Sequence, residues 1–291
     1  MKYLFSYVAL SLFTLVTTSA QNFDTKYVQV SNSQVGNYTI GMMKLNRKDN
    51  HVKVKYFATT ENGVSVANRY KQWAQGKNII LYSSGTYFGG NYIPVGICID
   101  NGNIVNNEVI QSGFDALAIV YQTGGIAVSD LKQGNLNIVS NGQSMTVNVR
   151  NGLDAQKFKS WAESNSATVF QTHLLCYNNE LKTYPSNDAN ALKSASRRFL
   201  AVCQDKQGAL QHVILNIKEQ VTVHEGSKAI RDYLLHPSSV FNKIFFMINL
   251  DTGMQDVFES YDGNGKRDTR KYFGGTSPLS DARNLLVYYY E

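Results

Sequence analysis

Three charged residues stand at the ends of apolar segments. Arg197 and Arg198 open one apolar run, and Asp251 follows another directly before a glycine turn. Because neighbours on a strand point to opposite faces, one of the two guanidinium groups must turn towards the other side of its sheet, where it needs a carboxylate or a phosphate. A surface salt bridge is the alternative, and the register leaves open which arginine faces inward. An acid placed like Asp251 is commonly either a turn cap or a catalytic acid.

A stretch of small polar residues ends a predicted strand nearer the N-terminus. Ser83, Gly85, Thr86 and Tyr87 lie in the segment 81–88, with the sequence LYSSGTYF. A strand that ends in small residues and glycine before aromatic residues presents hydroxyls and backbone amides at a sheet edge, where an anionic oxygen can bind. An ordinary glycine-containing turn is the alternative.

The common metal and nucleotide motifs are missing. The sequence has no HExxH, no paired Cys/His spacing, no GxSxG and no phosphate-binding loop. The segment from Asp262 resembles the start of a calcium loop, but Lys266 stands where an oxygen ligand is needed, so we predict a hairpin turn. We therefore predict no cofactor; a divalent cation near Asp251, Asp256 and Asp262 is an open alternative that the spacing does not support. His173 is predicted to be a hydrogen-bonded histidine within a sheet.

Five short segments, in this order and at this spacing, resemble motifs of the phosphodiester glycosidase family, to which the mannose 6-phosphate uncovering enzyme belongs. The segments are 83–87 (SSGTY), 94–97 (PVGI), 171–174 (QTHL), 197–201 (RRFLA) and 249–253 (NLDTG). The resemblance extends from about residue 50 to the C-terminus and implies hydrolysis of the glycosidic bond of sugar-1-phosphodiesters. The sequence departs from the family pattern where the family has asparagine or glycine: at Ser83, His173, Ala201 and Thr252.

The resemblance also implies roles for individual residues. It makes Arg197 and Asp251 the catalytic pair, with Arg197 on the phosphate and Asp251 orienting or activating water. It assigns substrate binding to a larger set: Ser83, Gly85, Thr86, Tyr87, Gln171, Arg198 and Gly253.

The chemistry of such a substrate fits this small set of charged groups. Hydrolysis at a glycosidic carbon passes through an oxocarbenium-like state that ordinary glycosidases meet with two carboxylates. Here the leaving group is a phosphomonoester, a stable anion whose second pKa is about 6, so it needs little protonation and chiefly needs its charge neutralised. That requirement favours an arginine and one acid over a full pair of carboxylates.

The strands and helices that must position these residues predict an α+β fold. It is expected to have a curved, mainly antiparallel β-sheet core with a few packed helices. Apolar alternation and turn residues predict strands at 27–30, 38–43, 52–57, 79–82, 168–177, 199–203, 212–216, 244–250 and 284–290, with a strand meander between 94 and 149. Helical spacing predicts helices at 66–75, at 155–164 with Asp154 as its cap, and at 228–235.

The N-terminus predicts export to a periplasm or outside the cell. Lys2, the mostly apolar stretch 3–16 and the small residues 18–20 are typical of a secretory signal peptide, with a membrane anchor as the alternative. We expect one domain over 21–291, whose first strands within 26–59 form a family-variable part, and no transmembrane segment after cleavage. Of the three cysteines, one pair at most can form a disulfide, and the sequence does not choose it.

Composition limits the partners. The formal net charge is +6 without a dense basic run, so nucleic acid is not implied. The 18 Tyr and 14 Phe favour strands and stacking on sugars, so a glycan or sugar-phosphate substrate is expected. The two functional hypotheses are an exported hydrolase of sugar-1-phosphodiesters and a catalytically impaired module on the same fold that binds carbohydrate or a cell surface.

Overall fold

The computed structural model describes residues 26–58, 64–90, 92–140, 142–185, 193–253, 255–268 and 274–291. The expected signal peptide lies outside these ranges. Within them, the strand pairings are antiparallel, and a single isolated parallel bridge joins Val257 and Ser277. This arrangement confirms the predicted α+β class with an antiparallel sheet core. None of the helices described is long and apolar enough to cross a membrane.

The strands are numbered in chain order. They are β1 Val28–Val35, β2 Tyr38–Asn46, β3 Val52–Phe57, β4 Asn78–Ser83, β5 Cys98–Asp100, β6 Asn103–Asn106, β7 Ala116–Val120, β8 Ile126–Asp130, β9 Leu136–Ser140, β10 Gln143–Val147, β11 Thr168–Thr172, β12 Leu174–Tyr177, β13 Glu180–Leu181, β14 Ala195–Asp205, β15 Leu210–Val221, β16 Phe241–Leu250, β17 Phe258–Tyr261, β18 Arg267–Asp268 and β19 Leu285–Tyr290. The helices are α1 Val66–Ala74, α2 Gly152–Ser164 and α3 Val223–Leu234.

Three sheets and one hairpin share the strands. The largest sheet has the order β1-β2-β15-β14-β16-β12-β13, and two five-stranded sheets have the orders β6-β5-β11-β7-β8 and β18-β17-β4-β19-β3. One buried cluster takes side chains from all three sheets, among them Leu200, Phe170 and Tyr288. A second cluster lies on the other face of the large sheet, where α3 covers it. The large sheet is therefore buried on both faces, as the apolar runs of β14 and β16 indicate.

The continuous strand predicted at 168–177 is wrong. The segment divides at His173, so that β11 belongs to a five-stranded sheet and β12 to the large sheet. Two hydrogen bonds stabilise the break between β11 and β12. The Thr172 hydroxyl donates to the carbonyl of Asn249, and His173 Nδ1 donates to the carbonyl of Gly113. Both parts are equally apolar, which is why the pattern reads as one strand. The break brings the two sheets together beside Asp251.

The predicted cap of the second helix is also wrong. Asn151, not Asp154, is the N-cap of α2, because the Asn151 side chain accepts the backbone N–H groups of Leu153 and Asp154. Asp154 lies inside the first turn, where its carboxylate accepts the N–H of Asn148. Both side chains are typical of helix N-termini, and the helix begins one residue after the asparagine.

Two further expectations concern a turn and the thiols. The Asp262 segment is the hairpin turn that we predicted, with the Asp262 carboxylate accepting the N–H groups of Asn264 and Lys266 between β17 and β18. The three cysteines are free and buried: Cys98, Cys176 and Cys203. Because burial raises the pKa of each thiol, these side chains are apolar packing groups.

The capping geometry makes a direct prediction. Replacing Asn151 by Ala removes the acceptor for two backbone N–H groups, so we expect the free energy of unfolding to fall by about 1 kcal/mol. Urea denaturation measures this change. The exposed Asn135, replaced by Ala, is the matched control and should leave the stability unchanged; equal losses in the two variants would contradict Asn151 as the cap.

Candidate active site at the ends of β14 and β16

Arg198 is the arginine that turns into the protein. It lies opposite Leu250 in the β14/β16 ladder and is completely buried. Its Nη1 donates to Asp256 Oδ1 at 2.6 Å and to the Ser83 hydroxyl at 3.3 Å, and its guanidinium carbon lies 4.5 Å from the centre of the Phe258 ring. A buried guanidinium needs such a carboxylate. The partner that the sequence required for the inward arginine is therefore Asp256.

Arg197 lies on the opposite face of β14 and keeps a small exposed fraction of 9%. Its Nε donates to the carbonyl of Val221 at 3.1 Å, and its Nη2 donates to the carbonyl of Lys193 at 2.6 Å. Burial raises the pKa of Tyr87, while the charge of Arg197 and a hydrogen bond to it lower that pKa, so the guanidinium lies near the phenol. Among the described residues, backbone carbonyls and no carboxylate hold the guanidinium, which leaves its charge available to an anion.

Tyr87 connects the two predicted catalytic residues. Burial raises the pKa of Tyr87 to about 12, while the charge of Arg197 lowers it and the charge of Asp251 raises it. Asn249 Nδ2 donates to the Tyr87 hydroxyl. The Asn249 side chain is fully buried, and its Oδ1 has no hydrogen-bond partner among the described residues. Arg197 and Asp251 therefore both act on one hydroxyl, beside a carbonyl oxygen that can still accept a bond.

Asp251 is a buried carboxyl whose pKa is raised towards neutral pH. Its side chain accepts the N–H of Gly253 at 2.8 Å, its own N–H donates to the carbonyl of Gly85, and 4% of the residue is exposed. Burial raises the pKa of Asp251 to about 6; the charge of Asp256 raises it further, while the Gly253 bond and the charge of Arg198 lower it. A carboxyl with such a pKa can take up or release a proton near neutral pH.

Ser83, Gly85 and Thr86 shape the site from within the protein. The Ser83 hydroxyl donates to the carbonyl of Ser84, and the Thr86 hydroxyl donates to the carbonyl of Gln171 at 2.6 Å. The N–H of Gly85 donates to Asn284 Oδ1, and a Cβ at Gly85 would lie 2.6 Å from that oxygen, so glycine is required there. These contacts hold Tyr87 in position.

Gln171 also makes its hydrogen bonds within the protein. Its Oε1 accepts the N–H groups of Ile97 and Ile110, and its Nε2 donates to the carbonyls of Ile110 and Phe114. The side chain is fully buried. Gln171 therefore fixes the loop before β7 against β11, which places Phe114 and His173 beside Tyr87.

The outer edge of the site is formed by His173, Thr252 and Gly253. His173 packs on Phe114 with ring centroids 4.3 Å apart and meets Tyr87 edge-on at 5.3 Å. Burial, and then the charge of Arg197, lower the pKa of His173, so the imidazole is neutral at pH 7. The Thr252 hydroxyl donates to the carbonyl of Ser196, and Gly253 is exposed.

Sequence patterns indicate only part of the roles of three further site residues: Asn249 was named only within the motif 249–253, Asp256 only as a candidate cation ligand, and Asn284 not at all as a site residue. The need of a buried arginine for an acid pointed to a partner for Arg198, but no spacing rule identifies Asp256. Asn249 and Asn284 look like ordinary polar residues at strand ends. Within the part of the chain that the structure describes, no three His, Cys, Asp or Glu side chains form a group that could hold a metal ion.

Comparison with known proteins adds distant likenesses. No protein-family profile matches the chain, and no curated protein matches its sequence. Among solved structures, the zebrafish N-acetylglucosamine-1-phosphodiester α-N-acetylglucosaminidase catalytic domain, auto-inhibited by its pro-peptide, is similar with 16% identity over 91% of this chain and 82% of that one, at a TM-score of 0.48.

Two further structures are similar at lower identity. A hypothetical protein from Synechocystis has 10% identity, covers 91% of this chain and 62% of its own, and has a TM-score of 0.49. A protein from Burkholderia pseudomallei K96243, named as exported, has 9% identity, covers 86% of this chain and 74% of its own, and has a TM-score of 0.43. Similarities this distant do not assign a function to the chain. A function must be argued from the side chains of the candidate site.

The raised pKa of Asp251 predicts a pH-dependent stability change. The folded protein holds this proton more tightly than the unfolded chain, so the stabilisation is fully present below about pH 4 and is lost as the pH rises through 6. Asp251→Asn should therefore raise the free energy of unfolding by about 2–3 kcal/mol at pH 8 and leave it nearly unchanged at pH 4.

Urea denaturation at the two pH values checks this difference. Asp154→Asn is the matched control, because hydrogen bonding lowers the pKa of Asp154 and its loss should bring no gain at pH 8. A variant at position 251 that is less stable than wild type at pH 8 would show that the carboxylate is an ordinary structural acceptor.

Proposed function

We propose that this protein is an exported hydrolase that cleaves the glycosidic bond of sugar-1-phosphodiesters. The observation that carries the proposal is the arrangement around Tyr87: Asn249, two residues before Asp251, donates to its hydroxyl, and the charges of Arg197 and Asp251 both shift its pKa, while the pKa of Asp251 itself is about 6. One cation for a phosphate and one carboxyl able to transfer a proton are the two groups that the reaction requires.

Arg197 and Tyr87 bind the phosphate in this proposal. The guanidinium offers a positive charge, and the phenol, which is protonated at neutral pH, donates a hydrogen bond to a phosphate oxygen. When the bond between the anomeric carbon and the phosphate oxygen breaks, its electron pair stays with the phosphomonoester. Arg197 stabilises the charge that gathers there, in place of a proton from a second acid.

Asp251 acts on water. In its ionised form the carboxylate accepts a proton from the water that attacks the anomeric carbon, which gives the free sugar and a protonated Asp251; the proton then passes to solvent. Asn249 Oδ1, which still has bonding capacity, is placed to accept a hydrogen bond from the sugar or the water. Arg198 and Asp256 keep the carboxyl in place and do not touch substrate in this scheme.

Four of the predicted substrate-binding residues have a structural role in the proposal: Ser83, Gly85, Thr86 and Gln171. Their hydrogen bonds run to protein groups, so they position Tyr87 and the loop at Phe114. Direct substrate contacts are then proposed for Tyr87 and Gly253 at the exposed edge. No cofactor is part of the scheme. Export follows in the proposal from the apolar N-terminal segment and its small-residue cleavage site.

Release of N-acetylglucosamine from its α-1-phosphate methyl diester tests the proposal. We expect wild type to release the sugar and Asp251→Asn to lose at least about 100-fold in kcat. Arg197→Gln should lose a similar factor, since one charge that acts on the transition state is removed. Arg267→Gln, at an exposed arginine far along the chain, is the matched control and should keep full activity.

The pH dependence gives a second test of the same scheme. Because Asp251 must be ionised to accept a proton, kcat/KM should rise with pH through about 6 and then level off. Background release by wild type, or equal release by wild type and both site variants, would reject hydrolysis and favour the carbohydrate-binding module.

A further inference from the structure

A cavity of about 580 Å³ adjoins the site on the other side of His173. His173 lines the cavity and meets Tyr87 edge-on, so one imidazole separates the cavity from the phenol. Thr222 also lines the cavity and directly follows Val221, whose carbonyl holds Arg197. A phosphate at Arg197 and Tyr87 would therefore direct one of its two substituents past His173 into the cavity.

The charged groups of the cavity wall are already paired with protein partners. Lys132 lies 3.0 Å from Asp115, which also accepts from Arg150 at 2.7 Å. Lys182 pairs with Asp130 at 3.5 Å and with Glu180 at 3.1 Å. The wall therefore presents little unbalanced charge to a ligand.

The polar groups at the start of α3 are engaged in the same way. The Glu225 carboxylate accepts the N–H and the hydroxyl of Thr222 in a capping box, and the Thr183 hydroxyl bonds to His224 at 3.2 Å. A ligand rich in hydroxyls or charges would compete with these bonds.

The remaining wall is apolar. Leu174, Val223, Pro185 and the ring of Tyr184 face the cavity, and Tyr184 is 70% exposed, an unusual position for a large aromatic side chain. A concave, mainly apolar cavity of several hundred cubic ångströms beside a site with polar groups is the usual form of a small-molecule subsite.

We infer that this cavity binds an apolar aglycone, an alkyl or aryl group esterified to the phosphate of the sugar-1-phosphodiester. The inference rests on the proposed function and adds to it the substrate class: a sugar-1-phosphodiester with a hydrophobic alcohol. The position of His173 places that alcohol in the cavity and the sugar on the side of Asp251 and Gly253.

Hydrolysis of methyl and octyl diesters of N-acetylglucosamine 1-phosphate tests the inference. We expect wild type to prefer the octyl diester by at least about tenfold in kcat/KM, mainly through KM, because each buried methylene adds to binding. Tyr184→Ala and Ser112→Trp, which remove a wall and fill the cavity from an exposed loop, should each reduce the octyl-to-methyl ratio towards one. Tyr121→Ala, at an exposed tyrosine in the turn between β7 and β8, should keep the wild-type ratio.

The experiment separates this inference from the proposed function. Cleavage of both diesters with equal efficiency by wild type overturns the apolar subsite and leaves hydrolysis intact. If neither diester is cleaved, calorimetric titration of octyl phosphate against methyl phosphate tests the cavity alone. Tighter binding of octyl phosphate that Ser112→Trp removes supports the subsite, and equal binding of the two phosphates overturns it.

Discussion

The buried ion pair between Arg198 and Asp256 is the constraint on which the site depends. It joins β14 of the large sheet to the connection between β16 and β17, and β17 belongs to a different sheet. Removing either charge would leave the other uncompensated in the interior, at a cost of about 3–5 kcal/mol. Because neighbours on a strand alternate, fixing Arg198 inward turns Arg197 to the opposite face, where its charge acts on the pKa of Tyr87. The same connection carries Asp251, so one pair sets the position of both predicted catalytic residues.

The sequence predicted the strands and the first helix well because each has a clear period and clear end signals. It could not place the break at His173, since the apolar pattern continues through 168–177 and the change of sheet depends on bonds to Asn249 and Gly113, which are distant along the chain. It names Asp154 as the cap of the second helix where the structure has Asn151, since both residue types favour helix starts. Local pattern therefore indicates where a strand or helix lies, and partners distant along the chain decide where the strand at 168–177 breaks.

The candidate site was likewise only partly predictable from local sequence pattern. The charged types at Arg197, Arg198 and Asp251 were recognisable because they interrupt apolar segments, but which arginine turns inward depends on register. Asp256 could not be identified as the partner of Arg198, since nothing in its surroundings along the sequence distinguishes it from a turn acid. The small polar residues between 83 and 87 favour either an anion-binding sheet edge or an ordinary glycine-containing turn. Their bonds run to protein groups, however, because a segment buried between two sheets must satisfy its own polar atoms.

A crystal structure of the complex with a non-hydrolysable phosphonate analogue of a sugar-1-phosphodiester would show whether Arg197, Tyr87 and Asp251 form one substrate site. We expect the phosphonate oxygens to lie within hydrogen-bond distance of Arg197 and the Tyr87 hydroxyl, with the anomeric carbon facing Asp251. A phosphonate bound elsewhere, or bound here with the anomeric carbon turned away from Asp251, would contradict it.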